Sequence, residues 1–512
     1  MKKFIALSIL GLLIMGFSAT VYAQPKLTFT ASGYIEFVTI LERNRTIGAN
    51  GNFATYWPGN GFYPPPFLPA STTGAWNRNV SYWEERMRLI FNLAMDKSLS
   101  GTVGFELDSQ RMGLGPADNT VGIGRWNSDA RQVEVMYAFI TAGLPYIGIP
   151  IPMTVRAGVQ PLATRPNVFL YTDGPAITGT LNIAPVLIGL TVAKPFEGKD
   201  ATSDDVDVYG LTANAKFGAI GIGAFGYFYN MNTYPFNAFT STYGITNPGY
   251  ADMFWVGLNS DGKIGPINYN FDAVMDYGKV KSRASSPIAI DPAASRKVKY
   301  RGFAGQLKIT FPWEKFAFGA LGMYATGADL NKTSRFGYPG DEVANIGTFS
   351  RKVGAYVIPP GSEEWAIWGE AMVFNNNYIT GTALPATMSP LGQYGNNMTR
   401  GAIGGSWVAQ LFASVSPVPW YKVTLKGMYI GDTTKHGNTL GDAVDLMGLR
   451  DDKGIGWEFD LLNDIKIYNN LTWSVGGGIL VAGDALDQNI TGPFNKSPGN
   501  PWVIGTKLRY DF

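Results

Sequence analysis

Ile504-Gly505-Thr506-Lys507-Leu508-Arg509-Tyr510-Asp511-Phe512 is the stretch whose reading decides the fold. Ile504, Thr506, Leu508, Tyr510 and Phe512 alternate with Gly505, Lys507, Arg509 and Asp511. Successive side chains of a strand point to opposite faces, so one face here is largely apolar and the other charged. Such a strand fits either over a soluble core or in the wall of a membrane barrel.

The same alternation recurs upstream. Leu27, Phe29, Ala31, Gly33, Ile35 and Phe37 oppose Thr28, Thr30, Ser32, Tyr34 and Glu36. Met87, Leu89, Phe91, Leu93 and Met95 oppose Arg86, Arg88, Asn92 and Asp96, and Val103, Phe105 and Leu107 oppose Glu106, Asp108 and Gln110. Ile267, Tyr269, Phe271, Ala273 and Met275 oppose Asn268, Asn270, Asp272 and Asp276. Ile455, Trp457, Phe459 and Leu461 oppose Gly456, Glu458 and Asp460. Eighteen such segments run from 26–41 to 502–512, with sixteen as the alternative count.

Connections separate the two architectures. Lys97–Ser100, Ala184-Pro185, Gly218-Ala219, Gly265-Pro266, Pro312–Glu314, Pro417–Trp420 and Tyr468–Asn470 are short. Glu42–Val80, Arg111–Ser128, Asn230–Tyr250, Lys281–Arg296, Ala328–Arg400 and Thr433–Lys453 are long, and the two kinds mostly alternate. Bacterial barrels place short turns on the periplasmic side and long loops outside, whereas a sandwich or propeller has no reason to alternate. The expected fold is therefore all-β, a transmembrane antiparallel β-barrel forming one domain over residues 24–512. Glu363–Asn375 would break the even strand number, so it is assigned to the loop near 328–400, folded into the pore as a constriction or plug. The loop near 42–80 carries Tyr56-Trp57-Pro58 and Phe62-Tyr63-Pro64-Pro65-Pro66-Phe67, either a sugar-stacking surface or a cap on the rim.

Composition agrees. The chain has 512 residues with 63 Gly, 13% aromatic and only 16% charged residues, which suits many short strands and turns. Lys2 and Lys3 before the apolar run Phe4–Phe17, then Val21-Tyr22-Ala23, read as a signal peptide over 1–23. Past Ala23 no window reaches the ~20 apolar residues of a membrane helix. A net charge of +2 without a basic run excludes nucleic acid as a partner. With no Cys and one His, thiolate or His/Cys-ligated metal sites are excluded, and no cofactor is expected. Trp83, Tyr137, Tyr227, Tyr229, Trp255, Trp313, Trp420, Tyr421, Trp457, Trp473, Trp502 and Tyr510 sit near strand ends, as interfacial girdles do.

Chemistry is sparse. His436 lies in a Gly-flanked polar loop and reads as a solvated histidine rather than a general base. Carboxylate pairs Glu106/Asp108, Asp272/Asp276 and Glu458/Asp460, with the run Asp204–Asp207, would suit glycoside hydrolysis only at suitable separations. The even spacing, i, i+2 or i, i+4, instead aims each pair into a wet lumen with Arg86, Arg88, Arg156, Lys308, Lys422, Lys426, Lys507 and Arg509. These fourteen residues are the candidate pore lining, with no catalytic residue among them. An aromatic end to the last strand resembles the signal read by barrel-assembly machinery, which assigns that role to Tyr510 and Phe512.

Two stretches resemble the alginate-export family of eighteen-stranded outer-membrane channels. One is Val155-Arg156-Ala157-Gly158-Val159-Gln160-Pro161-Leu162; the other is Gly454–Asp460 followed by Leu471–Asp484. The resemblance implies export of an anionic polysaccharide through an arginine-lined pore, with Arg156 in the lining. The mixed acids and bases of the predicted lumen instead favour a porin in the outer membrane, passing small hydrophilic or anionic solutes by diffusion. A plugged barrel serving as an adhesin or structural protein is the third reading. Outer-membrane lipid and small solutes are the expected partners, and the residues do not decide between a lone barrel and a homo-oligomer.

Overall fold

The computed structural model describes residues 27–43, 79–95, 98–112, 122–123, 133–144, 152–197, 205–234, 249–281, 298–329, 352–359, 362, 370–374, 405–439, 444–445, 448–491, 494–496 and 499–512. The signal peptide, the aromatic loop Asn52–Gly74, the turn after Leu144 and most of the 328–400 loop lie outside the described residues.

Among the described residues, eighteen long strands form one sheet. In chain order they are β1 (Thr28–Arg43), β2 (Asn79–Ala94), β3 (Leu99–Met112), β4 (Glu134–Leu144), β5 (Met153–Thr164), β6 (Leu170–Ile183), β7 (Val186–Phe196), β8 (Val206–Phe217) and β9 (Ile220–Tyr234). They continue as β10 (Gly249–Ile264), β11 (Ile267–Lys281), β12 (Phe303–Trp313, extended by Val298–Tyr300), β13 (Phe316–Ala325), β14 (Ser406–Val418), β15 (Tyr421–Asp432), β16 (Gly454–Tyr468), β17 (Leu471–Ala482) and β18 (Trp502–Asp511). Each pairs antiparallel with its chain neighbours, and β18 closes the sheet on β1 from Tyr34↔Asp511 to Arg43↔Trp502. The eighteen-stranded barrel expected from the alternation is what the chain forms.

Closure lets every strand edge hydrogen-bond within the sheet, which hydrocarbon demands. The outer face is correspondingly apolar: Leu258 is 61% exposed, Leu411 71% and Leu425 57%. No helix among the described residues is long and apolar enough to cross a membrane. Two-residue turns at one end use Gly218 (φ 60°) and Gly265 (φ 58°), left-handed positions that glycine occupies without a Cβ clash.

Two features depart from the expected pattern. Alternation puts Ile455 on the lipid face with Trp457, yet it is fully buried, because a bulge shifts the β15–β16 register between Ile430 and Gly431. Tyr227, Tyr229 and Trp255, expected in the aromatic girdle, point inward and are 5%, 3% and 1% exposed. Trp83, Trp313, Trp420, Trp457, Trp473 and Tyr510 do face outward.

Candidate functional site: a lumen crossed by its own chain

The interior contains two inward-folded pieces of chain. The first is the five-residue connection 165–169 between β5 and β6, the shortest link at the end of the barrel opposite the termini. Phe169 is fully buried and stacks on Phe225 (4.7 Å) beside Tyr227 and Trp255, which explains why those aromatics turn inward. Arg165 reaches Asp272 on β11, and its Nη1 lies 3.2 Å from Asp261 on β10. Burial disfavours its charge, but the carboxylates of Asp272 and Asp261 hold the guanidinium above its ordinary value. Asn167 Nδ2 donates to Gln306 Oε1 on β12 (3.3 Å).

The second is the described part of the long β13–β14 connection. Lys352–Val353 pairs in parallel with Lys299–Tyr300. Asp276 Oδ1 accepts from Gly302 N (2.9 Å) and Oδ2 from Val357 N (3.0 Å), while Trp255 Nε1 donates to Val357 O (2.8 Å). Tyr356 Oη donates to Val168 O (2.5 Å) and Ser362 Oγ to Phe169 O (3.0 Å), joining the two pieces. Further along, Glu370 bonds Lys308 of β12, and Lys426 Nζ of β15 donates to Glu370 Oε2 and O, each at 3.1 Å. Glu458 of β16 then accepts Val373 N (2.7 Å) and Phe374 N (2.8 Å). A chain entering the lumen brings backbone N–H groups without sheet partners, and wall carboxylates supply the acceptors.

The predicted lining residues all sit on strands, and those whose side chains are described point inward. Asp272, Asp276, Glu458 and Asp460 are covered, at 2%, 0%, 0% and 1% exposure. Lys426 is equally covered; Lys308 is half-buried, and Lys422 is exposed near the turn end. Arg86, Arg88, Lys507 and Arg509 keep 13%, 18%, 18% and 35% of their side-chain surface on the contiguous wall β18–β1–β2–β3. Arg86 and Arg88 both donate to Glu106 Oε1 (2.8 and 2.6 Å), and Arg509 Nη1 approaches Glu36 Oε2 at 3.4 Å. Arg509 also stacks over Tyr34 at 3.8 Å and bonds Asp511 at 2.8 Å. Arg156 continues this wall on β5, over the Phe139 ring at 4.8 Å. The side chain of Asp108 lies outside the described residues.

No family model matches this chain, and no curated protein matches it. Among solved structures it is similar to OccK8 (OprE) of Pseudomonas aeruginosa, with 11% identity, a TM-score of 0.46, and 94% of this chain and 98% of that one covered. OccAB1 of Acinetobacter baumannii is similar at 12% identity and TM-score 0.46, covering 94% of this chain and 97% of that one.

Sequence reading missed Arg165, Asn167 and Phe169. The connection that carries them has no alternation, although Pro166 marks a turn. The two stretches that resemble the alginate-export family contribute positive-φ glycines: a Cβ at Gly158 (φ 128°) or Gly456 (φ 148°) would lie 2.2 Å from a carbonyl oxygen across the strand pair. Beside Gly158, Gln160 is fully buried, donating to Ala176 O (2.7 Å) and accepting from Thr178 (2.8 Å). His436 is exposed at the loop end, with Nδ1 2.8 Å from Asp329.

Proposed function

We propose that this protein is an outer-membrane porin, a passive channel for small hydrophilic solutes with a preference for anions, and not an enzyme. The observation that carries the preference is the division of the interior charges. Carboxylates at Asp272, Asp276 and Glu458 are covered and engaged by side chains or backbone N–H groups of the inward-folded chain. Bases at Arg86, Arg88, Lys507 and Arg509 keep contact with water. With Arg156, five bases share one wall with Glu36, Glu42, Glu84, Glu106 and Asp511, but the four glutamates are buried, so the charge that meets water there is mainly basic. Charges lining a narrow wet channel select by their field, so this wall favours anions.

The same engagement argues against hydrolysis. A general acid or base needs a lone pair or proton facing substrate, and both oxygens of Glu458 and of Asp276 are taken up by backbone N–H groups. The closed barrel and its apolar outer face support residence in lipid, and Tyr510 and Phe512, on that outer face, suit the assembly signal. Swelling of liposomes carrying the refolded barrel tests the reading. Uptake of sodium gluconate faster than of a cationic solute of equal size is expected; no swelling with any solute would overturn it.

A further inference from the structure

Glu370 occupies its place as a ligand would. Lys308 and Lys426 come from strands separated by β13 and β14, and their ammonium groups grip opposite carboxylate oxygens of Glu370. Lys308 also lies over the Phe412 ring of β14 at 5.2 Å, so the pocket has two cations and an aromatic floor. Lys426 is 2% exposed and stands directly across the strand pair from Asp460. The other wall attachments of this segment engage its backbone N–H and C=O groups; here it offers a free-standing carboxylate to side-chain ammoniums. Glu370 holds a left-handed backbone (φ 52°), which a non-glycine residue adopts only when its surroundings enforce it.

We propose that Lys308 and Lys426 form a carboxylate-binding site in the lumen, occupied by the chain's own Glu370, which a solute carboxylate displaces. Exchanging one carboxylate for another leaves both ammoniums satisfied and relieves the left-handed residue, so the swap is nearly balanced. Glu370 competes as a tethered group, and short tethers set effective concentrations in the millimolar range. Solutes at that level therefore contend with it, and the segment is released when they win. The proposal rests on the channel reading only for the route by which solute arrives.

Ligand-observed NMR titration of acetate against the full refolded barrel in detergent tests the site without requiring conduction. Glu370→Ala is expected to tighten acetate binding by about tenfold, as removal of a tethered competitor does. Adding Lys308→Met should abolish that gain. Retained heat-modifiable mobility on gels shows that each variant is folded; Glu370→Gln, which keeps the side chain's volume, serves if the alanine variant is not. Equal acetate affinity in the parent and the Glu370 variant would overturn the site, as would a gain that survives loss of Lys308. A barrel that shows the gain but passes no solute would leave the site standing and sink the channel. A conducting barrel without the gain would do the reverse.

Discussion

Glu106 and Glu370 do opposite work with similar geometry. Glu106, on the wall, draws Arg86 and Arg88 to a single oxygen and fixes their heads. Neutralising it should leave both guanidiniums more mobile and raise the local positive potential. Glu106→Gln is therefore expected to move the zero-current potential in a salt gradient further toward the chloride limit, and no movement would remove Glu106 from the selectivity wall. Glu370 is a pin. Burial opposes its ionisation, but the ammoniums of Lys426 and Lys308 prevail and hold its carboxyl below the ordinary value of 4.5. A depressed carboxyl stabilises the latched arrangement above the unfolded value and loses that contribution as pH falls through the folded one. Current noise from the parent channel should stay constant from pH 7 to about 4.5 and rise below it. The Glu370→Gln channel should be noisy throughout; identical profiles would show that the pin plays no part.

At the level of strands, what could be read from the residues follows from periodicity. β11 reads correctly because Phe271, Met275 and Tyr277 face out while Asp272, Val274 and Asp276 face in, with no bulge to interrupt the count. Ile455 failed where a bulge inserts one residue and flips the count. Trp255 failed for a different reason: it was assigned by its kind rather than its parity. It shares a face with Met253 and Asn259, opposite Phe254, Val256 and Leu258, so alternation alone would have turned it inward. The chain inside the lumen has no such guide. Residues 165–169 and 352–374 follow neither a period of two nor one of 3.6, and the positions of the described residues among them depend on partners up to 193 residues away. The lipid face gives a sharp test of the strand account. Leu411, mid-strand on β14 and 71% exposed, meets hydrocarbon. Leu411→Arg should cost about 2–4 kcal/mol in urea unfolding from bilayers, and a cost near zero would put that face in water.

For the whole molecule, closure and occlusion are separate achievements. The β1–β18 pairing closes the wall, and the inward segments are held against it by Asp272, Asp276, Glu458 and the Lys308–Glu370–Lys426 group. What keeps contact with water on the wall from β18 to β3 is mostly basic: Arg86, Arg88, Lys507 and Arg509 against Asp511. That wall sets the sign of the charge that passes. Single-channel recording of the refolded protein across a tenfold KCl gradient tests it most directly. A steady open conductance with a zero-current potential of the sign set by chloride is expected. A potential of the sign set by potassium would contradict it, showing that the acids govern the path.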